Sequence, residues 1–301
     1  MGRDYITLYH YTRTEYLEDI LINRRLKVSE VGRSNDPFEM NPSFESGDRS
    51  TALMDSHLWN LEHCWKNFKD LDSTFYISLS CQMSSVLMWG HYANSHKGVC
   101  LVFKIPVNEE QDRFISRMQC SRLHLVPMLY RNERILVRDY VTEIRNDAIE
   151  YQLGDLKRHL ISYKPKDGSY EREFRLVIPS AELKYEAGAI YTSILSENLV
   201  GVILGKDCPW SVECIQTLCS TADYGNRVAV YQSSLHAEEN KVCVPINASI
   251  SDMIDFEYDG YVNREKELSQ TGERVILQVA AKHNWLKSLY NWDKTSRYFV
   301  E

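Results

Sequence analysis

The segment Tyr170-Glu171-Arg172-Glu173-Phe174-Arg175-Leu176-Val177-Ile178 places two acids and an arginine directly before an apolar run. Residues at positions i, i+2 and i+4 of a β-strand point to the same face. A strand here would therefore line one face with Glu171, Glu173 and Arg175. Buried charges are costly unless they are paired. The segment predicts either a polar active-site wall that continues into a core strand or the charged edge of an exposed strand.

Length and composition limit the class of protein. The 301 residues fit one large domain or two modest ones, and an apolar content of 44% is enough for a sizeable core. The net charge is -7 and the sequence pI is about 5.8, so the chain lacks the overall basic character typical of nucleic-acid-binding proteins. A local basic cleft is still compatible with this balance.

The cysteines and the apolar runs bear on the cellular compartment. None of the eight cysteines forms a C-x-x-C pair or lies near a histidine at zinc-finger spacing. Because disulfide frameworks are typical of small secreted domains, we expect buried, reduced thiols here, and we predict no metal site. The N-terminal residues lack a signal-peptide core, and no apolar run reaches the length of a membrane span. These observations predict a soluble, cytoplasmic protein with no membrane partner.

Apolar periodicity predicts a chain of mixed strands and helices. Predicted strands cover residues 6–12, 26–29, 74–81, 99–105, 123–130, 171–178, 200–205 and 227–231. One predicted helix directly follows Thr12. Further predicted helices cover residues 51–71, 86–94, 108–118 and 136–161, and a last one ends near residue 221. The nearly continuous apolar run at residues 99–105 predicts a central strand. Thr12 with Glu15 predicts a capping box for the first helix, and Ser84 is the predicted cap of the helix at 86–94.

The composition and the apolar pattern of the sequence change near residue 235. Beyond this point acidic residues outnumber basic ones, and apolar periodicity is weak until a helical pattern returns at residues 275–290. We predict a main domain at residues 1–235 and an appended, partly helical segment at residues 236–301. The appended segment is expected to cover or regulate the main domain.

His10 stands at the C-terminal end of the first predicted strand, immediately before a helix. Ligand-facing side chains often occupy this place, although a histidine here can also be structural. In the predicted strand at 74–81, Ser78 and Ser80 share a face. The segment Asn35-Asp36-Pro37-Phe38-Glu39 has turn chemistry, and we interpret it as a loop rather than as a contact to a ligand.

Four segments carry a resemblance to known proteins. They are Leu8-Tyr9-His10-Tyr11-Thr12, Asn35-Asp36-Pro37-Phe38-Glu39, Met88-Trp89-Gly90-His91-Tyr92-Ala93 with His96-Lys97-Gly98-Val99-Cys100-Leu101, and Tyr170-Glu171-Arg172-Glu173-Phe174-Arg175. In this order they resemble a large bacterial family catalogued as a domain of unknown function, over roughly residues 6–232. That family in turn resembles the ADP-ribosyltransferase superfamily, including the nucleic-acid-modifying DarT toxins.

The resemblance implies a fold and a set of site residues. The fold would be α+β, with an ADP-ribosyltransferase-like split mixed β-sheet core and surrounding helices. His10 matches the superfamily's first-strand histidine, Ser78 and Ser80 or Tyr92 match its middle element, and Glu173 matches its late glutamate. The catalytic residues would then be Glu173, Glu171 and His10. The residues expected to bind NAD are His10, Tyr11, Thr12, Arg33, Ser78, Trp89, Tyr92 and Arg175.

The chemistry of NAD cleavage explains why these residue types would be needed. Breaking the nicotinamide–ribose bond passes through an oxocarbenium-like transition state, as in glycosidases. A preorganised carboxylate such as Glu173 would stabilise the developing positive charge. Trp89 or Tyr92 would stack on nicotinamide, and Glu171 would orient or deprotonate the acceptor. Arg175 and Arg33 are candidates for pyrophosphate contacts, but Arg175 is equally suited to pinning one of the two glutamates.

The resemblance also implies a biological role with several alternatives. It favours an NAD-dependent toxin that modifies a base of single-stranded RNA or DNA, in phage defence or in a toxin–antitoxin system with an antitoxin or chaperone partner. The acidic balance argues mildly against a nucleic acid acceptor. A protein acceptor, a non-catalytic nucleotide-binding module and an NAD hydrolase are the alternatives. The helix at 86–94 is also compatible with plain core, with Trp89 buried rather than exposed to a ligand.

Overall fold

The computed structural model describes residues 5–31, 36–45, 52–71, 74–106, 124–140, 156–157 and 160–244. Its strands are β1 Tyr5–Thr12, β2 Leu26–Lys27, β3 Ser29–Glu30, β4 Phe75–Ser80, β5 Val99–Pro106, β6 His124–Pro127, β7 Leu129–Arg131, β8 Tyr163–Pro165, β9 Glu173–Ile178, β10 Lys184–Glu186, β11 Ala189–Thr192, β12 Leu199–Leu204, β13 Ala229–Gln232, β14 Ser234–Leu235 and β15 Val242–Cys243. Its α-helices are α1 Leu17–Ile22, α2 Ala52–Leu71, α3 Val86–His91, α4 Val137–Tyr140 and α5 Val212–Thr221.

An eight-stranded mixed sheet forms the centre of the described structure. Seven of its strands follow the order β13-β12-β5-β1-β4-β9-β6, and β3 pairs with β4 off this path. Within this sheet β12 and β13 are parallel, while β1, β4, β5, β6 and β9 pair in antiparallel fashion. The described residues thus confirm the mixed α+β class.

The apolar run at residues 99–105 forms the central strand β5, as predicted. It pairs with β1 from Val99 to Pro106 and with β12 on its other side. Helices α1 and α5 cover one face of the sheet, where Leu17, Leu21 and Ile215 join the core of the strands. Strand β5 is paired along both of its edges and packed on this face, which accounts for its nearly continuous apolar sequence.

The other face of the sheet is covered in two places. Helix α2 packs Leu58, Leu61 and Trp65 against Tyr76 of β4. Helix α3 buries Trp89 against Tyr9 of β1 and neighbouring side chains. Ser78, Glu173 and Arg175, described below, lie on this face. His10 stands in register with Leu101, which belongs to the apolar cluster of the opposite face.

Strands β1 and β4 separate within the sheet. Their register contains one residue pair, Tyr9 with Ser80, whereas β1 and β5 are paired at eight positions. Continuing the same antiparallel register would bring Tyr11 opposite Ser78, but that pair does not form. The sheet is therefore open between β1 and β4 from His10 onward.

Three local predictions were wrong. Glu171 does not lie on the strand with Glu173, because residues Lys166–Glu171 form a 3-10 helix and Arg172 adopts a left-handed conformation with φ 43. The cap of α3 is Ser85, which accepts a hydrogen bond from the Met88 N–H, rather than Ser84. The capping box at Thr12 is absent, since the first turn is a 3-10 helix at Thr14–Tyr16 with no side-chain cap.

The other predicted elements agree with the structure where it describes them. The predicted helix at 51–71 is α2, and the predicted strands at 200–205 and 227–231 correspond to β12 and β13. The predicted strand at 123–130 is divided into β6 and β7. The predicted helix at 108–118 and most of the one at 136–161 lie outside the described residues.

The described chain continues past residue 235 and packs on the main sheet. Strand β14 pairs with β15, and Val242 and Val244 are buried in the cluster that contains Trp89. The packed unit therefore reaches Val244, while residues 245–301 lie outside the described part. Within the described residues, we find no helix with the length and apolar character that a membrane crossing requires.

Candidate active site at the opening between two strands

Ser78 links the early histidine to the late glutamate at the opening between β1 and β4. Its hydroxyl donates a 2.5 Å hydrogen bond to Oε1 of Glu173. Its backbone carbonyl lies 3.0 Å from Nδ1 of His10. Ser78 is also exposed, although it belongs to β4, an interior strand of the sheet, and its neighbours along that strand are buried. Solvent therefore reaches Ser78, the residue that contacts both His10 and Glu173.

The contact with Ser78 fixes the proton position on His10. A carbonyl oxygen only accepts hydrogen bonds, so Nδ1 of His10 is the protonated nitrogen of the neutral ring. Burial lowers the pKa of His10, and the bond to Ser78 opposes this effect only in part. His10 is therefore neutral at pH 7 and presents Nε2 as a hydrogen-bond acceptor. An acceptor at this position suits a ribose hydroxyl rather than a phosphate oxygen.

Glu173 is buried and held by three side chains. It is 2% exposed. Oε1 accepts from Ser78 and from Nε of Arg175 at 3.1 Å, and Oε2 lies 2.7 Å from Nζ of Lys164. Burial raises the pKa of Glu173, but the charges of Arg175 and Lys164 and the hydrogen bonds outweigh it, so the pKa is lowered. Glu173 is therefore a preorganised carboxylate anion.

Glu171 lies beside Glu173 despite leaving the strand. The 3-10 helix carries Glu171 over the end of β4, where the Ser80 hydroxyl donates to the Glu171 backbone carbonyl at 2.7 Å. Oε1 of Glu171 accepts a 2.8 Å hydrogen bond from the Tyr92 hydroxyl, and Oε2 pairs with Nζ of Lys164. Burial and the Glu171 charge raise the pKa of Tyr92, so its phenol stays a neutral donor.

Arg175 is a structural clamp rather than a ligand-binding residue. It is 0% exposed, and besides Glu173 its guanidinium pairs with Glu39 at 3.0 Å and donates to the Ile161 carbonyl at 3.0 Å. Tyr76 lies below it, with the guanidinium carbon 4.3 Å from the ring centroid. The alternative in which Arg175 pins a glutamate is therefore the one seen, and no surface remains for a pyrophosphate.

The exposed rim beside Glu171 is aromatic. Tyr92 is 42% exposed, and its ring contacts His91, which in turn contacts Tyr170. Nδ1 of His91 lies 3.0 Å from the Tyr170 hydroxyl. Next to these rings, a side chain at Gly90 would meet nothing within 4 Å. The rim thus offers flat rings and open space to a planar ligand.

The structure brings together five of the predicted site residues and separates the others. Ser78, Glu171, Glu173 and Tyr92 are connected by hydrogen bonds and by the shared Lys164, and His10 joins them through the Ser78 carbonyl. Three others are enclosed: Trp89 is 0% exposed and donates to the Met83 carbonyl, Tyr11 is buried and donates to the Gln82 carbonyl, and Thr12 is buried. The predicted stacking role of Trp89 is corrected to a core role. Arg33 lies outside the described residues.

Sequence reasoning missed three residues of the site. Lys164 pairs with both glutamates, Glu39 clamps Arg175, and the Tyr130 hydroxyl accepts a 2.8 Å hydrogen bond from the Glu173 N–H. Glu39 has a signal in the sequence, since it ends one of the four segments that carry the family resemblance. Lys164 and Tyr130 carried none, because nothing in their local sequence relates them to a strand formed later in the chain.

Two further observations delimit the site. Among the described residues, no group of three His, Cys, Asp or Glu side chains could hold a metal ion. A cavity of about 10 Å³ lies elsewhere, between Arg24, Leu199 and Tyr224. It has room for about one water molecule and contains none of the residues above. The opening at Ser78 is therefore the place where the polar chemistry of the described chain concentrates.

The fold and site define a mixed α+β protein with two acids paired through Lys164 and a histidine bound to the Ser78 carbonyl. Residues 88–176 match a family described as a protein of unknown function, DUF2971. The matched segment contains Tyr92, Lys164, Glu171 and Glu173 and leaves out His10 and Ser78. No curated protein and no solved structure matches the chain. The likeness to ADP-ribosyltransferases therefore stays a prediction.

Proposed function

We propose that the protein is an ADP-ribosyltransferase that uses NAD as its substrate. The observation that carries the proposal is the junction at Ser78, where one residue contacts both His10 and Glu173 at a solvent-accessible opening in the sheet. Residues far apart in sequence converge there with the functional groups that cleavage of a glycosidic bond requires.

The reaction would proceed by cleavage and capture at one carbon. The bond between nicotinamide and the ribose C1′ breaks, and its electron pair leaves with nicotinamide. The resulting oxocarbenium-like centre is stabilised by the Glu173 anion, either directly or through the neighbouring ribose hydroxyl. The acceptor then bonds to C1′ and passes its proton to Glu171.

The positions of the side chains support these roles. Nε2 of neutral His10 can accept from a ribose hydroxyl. A carboxylate has about four acceptor positions, and Ser78, Arg175 and Lys164 occupy three on Glu173, so one remains for a substrate hydroxyl. Because Ser78 is exposed, a ligand that enters between β1 and β4 would meet Ser78, whose hydroxyl is bonded to Glu173.

We propose a nucleic acid base, in single-stranded RNA or DNA, as the acceptor. The exposed rings of His91 and Tyr92 support this choice, because bases stack on exposed rings whatever their sequence. A toxin role in phage defence or in a toxin–antitoxin system, with an antitoxin or chaperone partner, is part of the same proposal. A protein acceptor is the alternative.

The choice of acceptor can be tested with oligonucleotides and proteins incubated with NAD labelled in its adenosine half. Tyr92→Ala should reduce labelling of the oligonucleotide at least about fivefold, since stacking on an aromatic residue is worth about 1–3 kcal/mol per base. Tyr185→Ala is the matched control, because Tyr185 is 70% exposed and belongs to β10. Labelling of protein alone would replace the nucleic acid acceptor with a protein side chain.

The function itself is tested by measuring free nicotinamide during incubation with NAD. The proposal predicts release well above the rate without protein, with ADP-ribose attached to the acceptor. Free ADP-ribose as the sole product would identify an NAD hydrolase that uses the same acids. No release with any acceptor would contradict the proposed activity.

A non-catalytic nucleotide-binding module is the second candidate. It is favoured by the enclosure of Glu173, which is 2% exposed and already bound to Ser78, Arg175 and Lys164. A buried carboxylate with three protein partners can serve as a fixed structural anion. Calorimetry that detects NAD binding, together with no nicotinamide release, would favour this candidate over the enzyme.

A further inference from the structure

Lys164 is the cation that the two glutamates share. It belongs to β8, and its side chain is 13% exposed. Nζ lies 2.7 Å from Oε2 of Glu173 and also pairs with Oε2 of Glu171. A lysine ammonium has three donors and no acceptor, so one Nζ can serve both carboxylates at once.

The other oxygen of each glutamate has its own partner. Oε1 of Glu171 accepts from Tyr92, and Oε1 of Glu173 accepts from Ser78 and Arg175. Only the Oε2 atoms face a common group. Lys164 therefore sets the distance and the relative orientation of the two carboxylates, while the Oε1 contacts attach each of them to its own part of the fold.

The fold holds Lys164 in place through the same strand that holds Glu173. Lys164 pairs with Tyr130 in the parallel β7–β8 ladder. The Tyr130 hydroxyl accepts from the backbone N–H of Glu173. The backbone position of the lysine is thus tied to the backbone position of the acid, so the approach of Nζ to Glu173 does not depend on a flexible loop.

We propose that Lys164 is a positioning residue that keeps Glu171 and Glu173 side by side and both ionised. This inference rests on the proposed function for its catalytic meaning: Glu173 must be an anion to stabilise the reacting ribose, and Glu171 must be one to accept a proton. Two carboxylates that share a site without a cation cannot both ionise readily. Lys164 removes that conflict.

The charged surroundings support this role. Burial lowers the pKa of Lys164, but the charges of Glu173 and Glu171 outweigh it, so the pKa is raised and the lysine stays protonated. The neighbouring titratable groups have other partners. Tyr92 donates to Glu171, Arg175 pairs with Glu173, and Glu39 and Tyr76 contact Arg175. Tyr170 contacts His91, and His10, whose pKa burial lowers, contacts the Ser78 carbonyl. Arg175 contacts Glu173 and not Glu171, which leaves Lys164 as the described cation that joins the pair.

The test is a carbon-13 NMR titration of the glutamate carboxyl groups in wild type, Lys164→Met and Lys164→Arg. Lys164→Met should raise the pKa of one of the two carboxyls by at least about one unit, as for two acids that share a site. Lys164→Arg keeps the charge and should restore most of the wild-type titration. Lys166→Met, a change at an exposed lysine two residues away, is the matched control and should leave both carboxyls unchanged.

The titration separates this inference from the proposed function, because it needs no substrate. In an active enzyme, the acid limb of the kcat/KM profile of Lys164→Met should move to higher pH by the same amount as the carboxyl pKa. If the carboxyl pKa is raised in Lys164→Met but wild type cleaves no NAD, the proposed enzymatic function is wrong and the positioning role of Lys164 is retained. Both carboxyls titrating as in wild type would overturn the positioning role, whatever the activity.

A second variant covers the case in which Lys164→Met does not fold. Adding Glu171→Gln removes one of the two facing charges, so the double variant Lys164→Met with Glu171→Gln should regain folding, seen as a cooperative thermal transition. A double variant as unfolded as the single one would show that the lysine acts through packing and would also overturn the proposal.

Discussion

Arg175 shows how a single residue decides the chemistry around it. It is 0% exposed and is paired with Glu39 and Glu173, and Tyr76 covers the guanidinium. A buried charge of this kind is tolerated because its partners are fixed on three different segments of the chain. The cluster therefore orients Glu173 and, at the same time, makes the fold sensitive to the loss of any one partner.

Glu39→Gln should destabilise the protein strongly. The change leaves part of the Arg175 charge unpaired in the core, which costs about 3 kcal/mol in the free energy of unfolding. Glu197→Gln is the control, because Glu197 pairs with Arg24 and Arg227 at the surface and is 63% exposed. Its loss should cost less than about 1 kcal/mol. Equal effects of the two variants in urea unfolding would show that the buried clamp does not contribute as described.

The lowered pKa of Glu173 predicts a pH dependence of stability. A carboxyl whose folded pKa lies below its ordinary value of 4.5 stabilises the fold above that value. This contribution should be lost as the pH falls from 4.5 through the folded pKa. Urea unfolding of wild type should therefore show a steeper loss of stability on acidification than Glu173→Gln. The same slope in both proteins would contradict an ionised, paired Glu173.

At the scale of elements, the turn before β9 explains where the sequence prediction failed. The alternation from Glu171 to Arg175 fits a continuous strand, and the pattern of charges gives no reason to end it. Because the backbone of Arg172 is left-handed, the strand begins only at Glu173. The Arg172 carbonyl accepts a hydrogen bond from the Cys81 N–H at 3.1 Å. This tertiary contact is absent from local sequence, so periodicity could not predict it.

The cap of α3 gives a direct test at this scale. The Ser85 side chain accepts from the Met88 N–H, so Ser85→Ala should cost about 1 kcal/mol of stability. Ser84→Ala is the matched control, because the Ser84 hydroxyl accepts only from the Gln82 side chain, at 3.3 Å. Thermal unfolding of both variants would measure the difference. A larger loss of stability for Ser84→Ala than for Ser85→Ala would show that Ser84 is the cap, as the sequence pattern predicts.

Much of the element order could be predicted from the sequence, while the site could be predicted only in part. Apolar periodicity located α2, β5 and β12 because their burial comes from long, regular contacts. The pairing of β1 with β4 through a single residue pair has no local signature, and neither has the approach of Lys164 to the acids. The resemblance supplied His10 and Glu173, and it misassigned Trp89 because an aromatic residue suits a core as well as a ligand.

At the scale of the whole molecule, the chain beyond residue 235 completes the core around Trp89. Val242 and Val244 are 3% and 9% exposed and belong to the cluster of Trp89 and Tyr9. The Val242 N–H also donates to the Ser84 carbonyl at 3.0 Å. The β14–β15 hairpin thus covers the face of the sheet that carries α3, next to the proposed site.

Two truncations should separate this packing role from the rest of the C-terminal chain. Removal of residues 236–301 exposes Trp89 and loses two buried valines, which should cost about 3 kcal/mol or more relative to removal of residues 245–301. The measurement is the free energy of unfolding of the two shortened proteins. Equal stabilities would show that the hairpin does not contribute to the core. Nicotinamide release by the protein that lacks residues 245–301 tests the predicted regulatory role of the appended segment.

The measurement that bears most directly on the role of Glu173 is the steady-state rate of nicotinamide release by Glu173→Gln. If Glu173 stabilises the transition state, kcat should fall at least about 100-fold. The KM for NAD should change little and the circular dichroism spectrum should stay native. Glu186→Gln, at a glutamate that is 62% exposed and paired with Arg25, should keep the wild-type kcat. A natively folded Glu173→Gln protein that releases nicotinamide at the wild-type rate would contradict the catalytic role of Glu173 and the site built around it.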